Sequence, residues 1–283
     1  YAKPVALGEV MEAGGVGEVI ESRSPSYKPG DIVVGPTGWQ EYSALGDKFV
    51  RKIDPSLAPI STSVGVLGMP GLTAYSGLMT FGKPCEGESI VVSAASGAVG
   101  SVVGQIAKLK GCHVIGVAGS DDKCEYVISE LGFDKCLNYR NDNFRQDLIS
   151  SCVSGVDIYW ENVGGTTFEA VLPLMNDFGR IPVCGLIAHY NQTDLPMRKD
   201  RLPVLFRNIL TKRLLLRGFI VWDLKEQEEE ALSSLTSLVS EGKIKYKEDL
   251  VEGIESAPEA FIGLLEGKNF GKLLVKTDLQ SNH

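Results

Sequence analysis

Only three histidines occur in 283 residues, His113, His189 and His283, and the six cysteines, Cys85, Cys112, Cys124, Cys136, Cys152 and Cys184, are scattered with no close pair. Zinc lobes and Cys/His zinc centres need clustered thiolate and imidazole donors, so no metal site is expected. The same scatter argues for reduced thiols rather than a disulfide framework. No apolar run approaches the roughly 20 residues that span a bilayer. The opening residues, Tyr1 to Pro4, carry neither the basic nor the apolar region of a secretion signal. The expected location is the cytoplasm, without a membrane partner. Basic charge is in deficit, 28 Lys and Arg against 36 Asp and Glu for a net charge of -8. That leaves no surplus to release counterions from a phosphate backbone, and nucleic acid is not an expected partner. No internal repeat or low-complexity tract stands out.

What is present is a chain long enough for two cores, 43% hydrophobic and 23% charged, a balance typical of packed globular domains. Its first part has short β-rich runs, Gly17 to Ser22, Asp31 to Gly35, Trp39 to Leu45 and Phe49 to Ile53, with a turn at Lys28 to Asp31. From Met69 the texture changes, with Pro70 suited to a first helical turn and Gly82 to its stop. Apolar runs then recur at Ser89–Ala94, Val114–Val117, Cys136–Asn138, Val156–Trp160, Arg180–Cys184 and Leu214–Ile220. Between them lie helical or turn-and-helix segments, Val99–Leu109, Asp121–Leu131, Asp142–Cys152 and Thr167–Met175.

Six strands alternating with helices, apolar on both faces, predict a doubly wound parallel sheet of Rossmann type. A helix at Glu226–Ser240, a strand at Tyr246–Val251, a helix capped by Ser256 and a strand at Leu273–Lys276 close the chain. The expected division is a β-rich domain from residues 1–69 and 246–283, discontinuous in sequence, and a dinucleotide-binding domain at 70–245.

The strongest chemical signal is SIVVSAASGAVG at 89–100. Ala95 takes the first glycine position of the phosphate-binding pattern, followed by Gly97 and Gly100, with Ala98 and Val99 between them. The spacing alone is weak, but here it leaves a strand and opens a helix, as the mechanism requires. Gly97 permits close approach of a pyrophosphate, Gly100 permits close helix–strand packing, and the helix start offers free amides and partial positive charge. The alternative is a glycine turn needed only for chain reversal. Glycines 14, 15 and 17 make a decoy, because the chain continues there as a strand with no helix behind it.

An NAD-specific chain would place an acid at the end of the second strand to hold the ribose hydroxyls. Here Gly119 stands in that place, followed by Ser120, which can donate to a 2′-phosphate, and Lys123, which supplies positive charge. NADPH is favoured. Asp121 and Asp122 count against it unless they cap the next helix.

With the loop placed, GMPGLTAY (68–75), AASGAVG (94–100), LGFD (131–134), ENVGG (161–165), CGL (184–186) and GKNFGK (267–272) together resemble the medium-chain dehydrogenase/reductases. The likeness runs along essentially the whole chain. It is nearest to their zinc-independent double-bond reductases, the group of the prostaglandin and curcumin reductases. The resemblance implies a GroES-like barrel for the β-rich domain, whose strands ahead of Tyr1 have no counterpart in this sequence.

It also implies that Lys123 and Tyr139 contact the 2′-phosphate and that Asn162 and Asn269 contact the cofactor elsewhere. Cys184, Gly185 and the run Phe219, Ile220 and Val221 then lie near the nicotinamide. Bland alternatives remain open: a packing role for Tyr139, a turn role for Asn269, and a small buried thiol with no activating histidine for Cys184. His189 is either a proton donor or a structural histidine. Trp222 follows the sixth strand where some relatives have a tyrosine, and either shapes a substrate pocket or packs.

The expected reaction is NADPH-dependent reduction of the double bond of an α,β-unsaturated ketone or aldehyde, hydride to the β-carbon and proton to the α-carbon, with Tyr1 and Tyr190 as candidate donors. A quinone reductase and a non-catalytic NADPH-binding sensor are the alternatives. A homodimer is expected from the resemblance.

Overall fold

The computed structural model describes residues 4–192 and 200–277, and the backbone divides into two compact units, residues 1–69 with 248–283, and residues 70–247. In the first unit, strands β1 (Gly15–Glu18), β2 (Ile32–Gly35) and β3 (Arg51–Lys52) form a three-stranded antiparallel sheet. The turn at Lys28 forms as its residues dictate. Asp31 N–H donates to Lys28 O, Lys28 N–H donates to the Asp31 carboxylate at 2.8 Å, and Gly30 takes φ +90°.

The run 39–45 is not a strand. Gly38 turns the chain at φ +69°, the Gln40 and Ser43 side chains both donate to Thr37 O, and Trp39 packs edge-on against Phe261 at 5.8 Å. Local side-chain bonds have outcompeted a ladder here.

The second unit begins with α1 (Met69–Gly77), which runs into a wider π-type turn at Leu78–Gly82. The parallel sheet follows: β4 (Ser89–Ser93), β5 (His113–Ala118), β6 (Lys135–Asn138), β7 (Val156–Trp160), β8 (Met175–Val183) and β9 (Leu215–Gly218), in the order β6-β5-β4-β7-β8-β9. All five neighbour pairs are parallel. The strand order reverses between β4 and β7, and ligands of open α/β sheets collect outside the carboxyl ends at such a point.

Helices α2 (Gly100–Leu109), α3 (Asp121–Ser129), α4 (Phe144–Ser151), α5 (Gly165–Val171), α6 (Leu202–Lys212) and α7 (Glu228–Ser240) connect and follow the strands. Sequence patterning did not anticipate α6. None of its residues is fully buried, and only Leu205 and Ile209 pack against the core cluster.

Every residue of β4 is buried, and its β-branched centre Ile90, Val91 and Val92 is fully so. Each such side chain stabilises the fold by roughly 1.5–3 kcal/mol. On one face, Val91, Ile115, Val117 and Ile181 pack with Phe144 and Leu148 of α4 and Val171 of α5. On the other, Gly116 leaves room for Val127 of α3.

The LGFD segment has a packing explanation. The Phe133 ring lies where a Cβ on Gly104 would stand, 1.8 Å from its Cζ, and the Asp134 carboxylate accepts Val114 N–H at 2.7 Å and pairs with Lys108. On β8, Arg180 grips Glu88 through two bonds of 2.7 and 2.8 Å and donates to Gly82 O. The chain then returns to the first unit with β10 (Glu248–Glu252), α8 (Ala257–Leu265) and β11 (Lys272–Lys276), where β10 and β11 pair in parallel. Ser256 stands at the N-cap of α8 but makes no side-chain cap bond. No helix among the described residues is long and apolar enough to cross a membrane.

Gly104→Ala should lower stability by about 1–3 kcal/mol through overpacking. The measurement is a denaturant titration of the single variant and of the double variant with Phe133→Leu, which should recover part of the loss. An equal penalty in both backgrounds would show that the Phe133 ring is not the obstacle.

Candidate cofactor site

The turn from β4 into α2 is built around one close backbone contact. Ala94 takes a left-handed φ of +50°, and its carbonyl accepts Gly97 N–H at 2.9 Å. The same oxygen lies 2.3 Å from where a Cβ on Gly100 would stand, and 3.2 Å from one on Gly97. Ala95 is fully buried and donates its N–H to Val117 O at 3.0 Å, which pins the turn to β5. Ser101 is the first residue to bond back into the helix, to Gly97 O. The amides of Ala98, Val99 and Gly100 have no main-chain acceptor among the described residues. Three free N–H groups at a helix start, reached past a side-chain-free approach, fit a pyrophosphate.

The neighbouring edge carries the next group of expected residues. Gly119 follows β5, and a Cβ there would come within 3.2 Å of the Tyr139 ring, so glycine is what lets that ring lie against the strand end. Tyr139 N–H is bound to Ala118 O at 3.0 Å. Ser120 caps α3 by accepting Lys123 N–H at 3.4 Å, which leaves its hydroxyl proton available to a ligand. The capping role considered for Asp121 and Asp122 therefore belongs to Ser120. Asp121 instead accepts the Asn138 amide at 2.8 Å, which holds its charge to the protein. Arg140, which sequence reasoning passed over, places its guanidinium 5.7 Å from the centre of the Tyr139 ring.

Past β7 the side chain of Asn162 is held at both ends, donating to Ser93 O at 2.7 Å and accepting from the Trp160 indole at 3.1 Å. Cys184 and Gly185 N–H both donate to Glu161 O, at 2.8 and 3.1 Å. Burial, and then the nearby Glu161, push the Cys184 thiol up to about 12. It is a protonated, inert thiol at neutral pH.

Tyr190 is exposed, and its hydroxyl oxygen accepts Leu186 N–H at 3.3 Å, so its own proton is free to be donated. His189 is turned to Gln192 at 3.0 Å and lies against Gly164. Phe219 belongs to the core: its ring is buried against Phe81 and Trp160 at 5.2 and 5.8 Å, so only its main chain can meet a ligand. Ile220 and Val221 follow it, with Ile220 N–H bound to Asp223, and Trp222 is 67% exposed.

Two expected residues do not belong to the described part of the second unit. Tyr1 lies outside the described residues. Asn269 lies in the first unit and donates to Gly271 O at 2.9 Å, the turn role open to it, and it also lines a surface cleft with Asp249 and Lys268. Sequence reasoning also missed Glu161, a wholly buried acid at the end of β7. A charged residue directly after a buried strand was its signal.

A glycine-lined turn at the switch point of a 3-2-1-4-5-6 sheet defines a dinucleotide-binding fold of Rossmann type. Residues 98–237 match the family described as zinc-binding dehydrogenase, and residues 1–53 match the N-terminal domain of oxidoreductase. NADPH-dependent curcumin reductase of Escherichia coli K12 is 51% identical over 278 residues, covering 98% of this chain and 80% of that protein. Prostaglandin reductase 1 of Bos taurus is 43% identical over 97% of this chain and 84% of its own. The 2-alkenal reductase (NADP(+)-dependent) of Nicotiana tabacum is 42% identical over 97% and 79%. The crystal structure of CurA in complex with NADPH from Vibrio vulnificus superposes with a TM-score of 0.94 at 48% identity, over 98% of this chain and 83% of that one.

The chain belongs to the medium-chain dehydrogenase/reductase family, in the branch of the curcumin, prostaglandin and 2-alkenal reductases. The zinc implied by the family's description finds no donor set, since no three His, Cys, Asp or Glu side chains among the described residues are grouped to hold a metal.

Gly100→Ala should weaken NADPH binding by roughly tenfold or more, equivalent to about 1.4 kcal/mol, because a backbone oxygen and not a movable side chain fills the space. Gly97→Ala should cost less. Fluorescence titration measures both, and wild-type affinity in Gly100→Ala would refute the contact. For the thiols, iodoacetamide at pH 7.5 should label exposed Cys85 and spare Cys184, whose labelling should stay slow until pH approaches 12. Peptide mass spectrometry reads the result.

Proposed function

We propose that the chain is an NADPH-dependent reductase of the carbon–carbon double bond of α,β-unsaturated ketones and aldehydes. The observation that carries this is the likeness to curcumin, 2-alkenal and prostaglandin reductases over 97–98% of the chain. The glycine at position 119, where an NAD-selective chain would carry an acid, agrees with it. When bound, NADPH supplies the hydride that reaches the β-carbon.

The protein's part is to bind, orient and place donors. Amides of Ala98, Val99 and Gly100 receive the pyrophosphate. The Ser120 hydroxyl, Lys123 and Tyr139, with Arg140 beside them, receive the 2′-phosphate, where charge-assisted bonds are the strong ones. Asn162, the Cys184–Gly185 main chain and Phe219 to Val221 flank the nicotinamide, and Asn269 keeps the cofactor contact that the resemblance assigns to it. Tyr190, with its free hydroxyl proton, and Tyr1 are the candidate donors to the developing enolate oxygen; a neutral phenol suffices for that bond. Exposed Trp222 offers an aromatic wall to the substrate. The unit also presents β9 at the end of its sheet order and exposed Leu202, Phe206, Leu210 and Leu215, a surface suited to a second copy in a homodimer.

Lys123→Ala should raise the dissociation constant for NADPH about tenfold and leave that for NADH unchanged. Equal affinities of the parent chain for the two cofactors would remove the 2′-phosphate reading. For the reaction, aromatic enones, aliphatic alkenals and quinones are supplied separately with NADPH. Enone or alkenal products heavier by two hydrogens are expected in the mass spectrum. Turnover of quinones alone, or cofactor binding without turnover, would overturn the assignment.

A further inference from the structure

Three strands end side by side at the switch point, and one buried carboxyl joins them. Glu161, with no exposed surface, follows β7. Its Oε1 accepts from the Ser93 hydroxyl of β4 at 3.1 Å and from Val163 N–H, and its Oε2 accepts from the Tyr159 hydroxyl at 3.0 Å. Its main chain donates to Pro182 O of β8 at 3.0 Å and accepts from Cys184 and Gly185. Ser93 extends the reach, because its oxygen accepts Asn162 N–H at 2.8 Å while its carbonyl accepts the Asn162 amide. Every group that the reading above sets along this part of the edge, Asn162 and the Cys184–Gly185 main chain, is therefore tied to Glu161 directly or through one atom.

We propose that Glu161 is the positioning residue for the nicotinamide half of the cofactor, acting through Asn162 and the Cys184–Gly185 main chain, with Ser93 as its relay. The proposal rests on the NADPH reading and deepens it. All three partners of the carboxyl are donors, which suits the ionised acid. Burial opposes this and pushes the carboxyl above its ordinary range. Ser93 reconciles the two, since its oxygen is 3.0 Å from Trp160 O and 3.1 Å from Glu161.

With the acid ionised, the Ser93 proton points to Glu161. With the acid neutral, its proton is donated to the Ser93 oxygen and the Ser93 proton turns to Trp160 O. Both states keep the Ser93–Glu161 bond that holds the two strands together. The titratable groups facing the carboxyl are Tyr159, whose phenol burial holds well above its usual range, and Cys184, about 12, so both stay neutral at physiological pH.

The test compares NADPH with 2′,5′-ADP, which carries only the adenosine half of the cofactor, in the full chain and in Glu161→Gln and Ser93→Ala. Glu161→Gln keeps the shape but turns one acceptor into a donor facing donors. It should weaken NADPH binding, followed by nicotinamide fluorescence, at least tenfold and leave 2′,5′-ADP within twofold. Ser93→Ala should show the same pattern at about threefold to tenfold. Wild-type NADPH affinity in both variants overturns the proposal. So does equal loss of both ligands in Glu161→Gln alongside a wild-type Ser93→Ala, since Glu161 would then serve folding alone. A parent chain that binds 2′,5′-ADP and NADPH equally tightly overturns it too, because no nicotinamide contact would remain to position. A parent chain that binds neither ligand overturns the cofactor reading, and this inference with it.

Discussion

The approach of the Ala94 carbonyl to Gly100 is the constraint on which the rest of the second unit depends. That oxygen occupies space that any side chain at position 100 would need. The helix start can therefore come down onto the end of β4. The contact requires Ala94 to hold a left-handed backbone, strain of the kind that persists only when its surroundings over-determine it. The surroundings do so, because Ala95 is buried and bonded to β5 and β4 is buried from end to end. The same contact aims the free amides of α2 past the sheet edge. The packing of the turn and the exposure of these amides are one geometric arrangement here.

A second constraint lies one strand away. Burying the Glu161 carboxyl would be costly without partners, and the structure meets it with donors from β4, β7 and the loop that follows. Polar networks of this kind are rigid when fully satisfied. The loops carrying Asn162 and Cys184 inherit that rigidity, and the raised thiol of Cys184 is a by-product of the same burial.

The six sheet strands and most of their helices were legible because their patterning is strong. Runs such as Val156–Trp160 are apolar on both faces and bounded by turn residues, and that strand forms with the expected bounds. The run 39–45 was misread because Trp39 and Tyr42 favour strands locally, while Gln40 and Ser43 found a carbonyl to bond within their own loop. Helix α6 went unread although Leu205 and Ile209 meet the core, because the rest of its apolar residues, Leu202, Phe206 and Leu210 among them, stay exposed and blur the stripe. In the site, glycines and charges were readable from type and spacing. Phe219 was readable only as a neighbour of the cofactor, since whether a phenyl ring faces a ligand or the core depends on what stands opposite, here Phe81 and Trp160.

By itself the sequence determined the order of elements, the phosphate turn and the absence of an acid at position 119, because each depends on residue type within a few neighbours. Tertiary structure alone decided that Ser120 and not an aspartate caps α3, that Asn162 is bound at both ends, and that Glu161 ties three strand ends together. Those outcomes depend on partners far apart in sequence, Ser93 and Glu161 being one pair. No local pattern records which distant donor will come within hydrogen-bond distance.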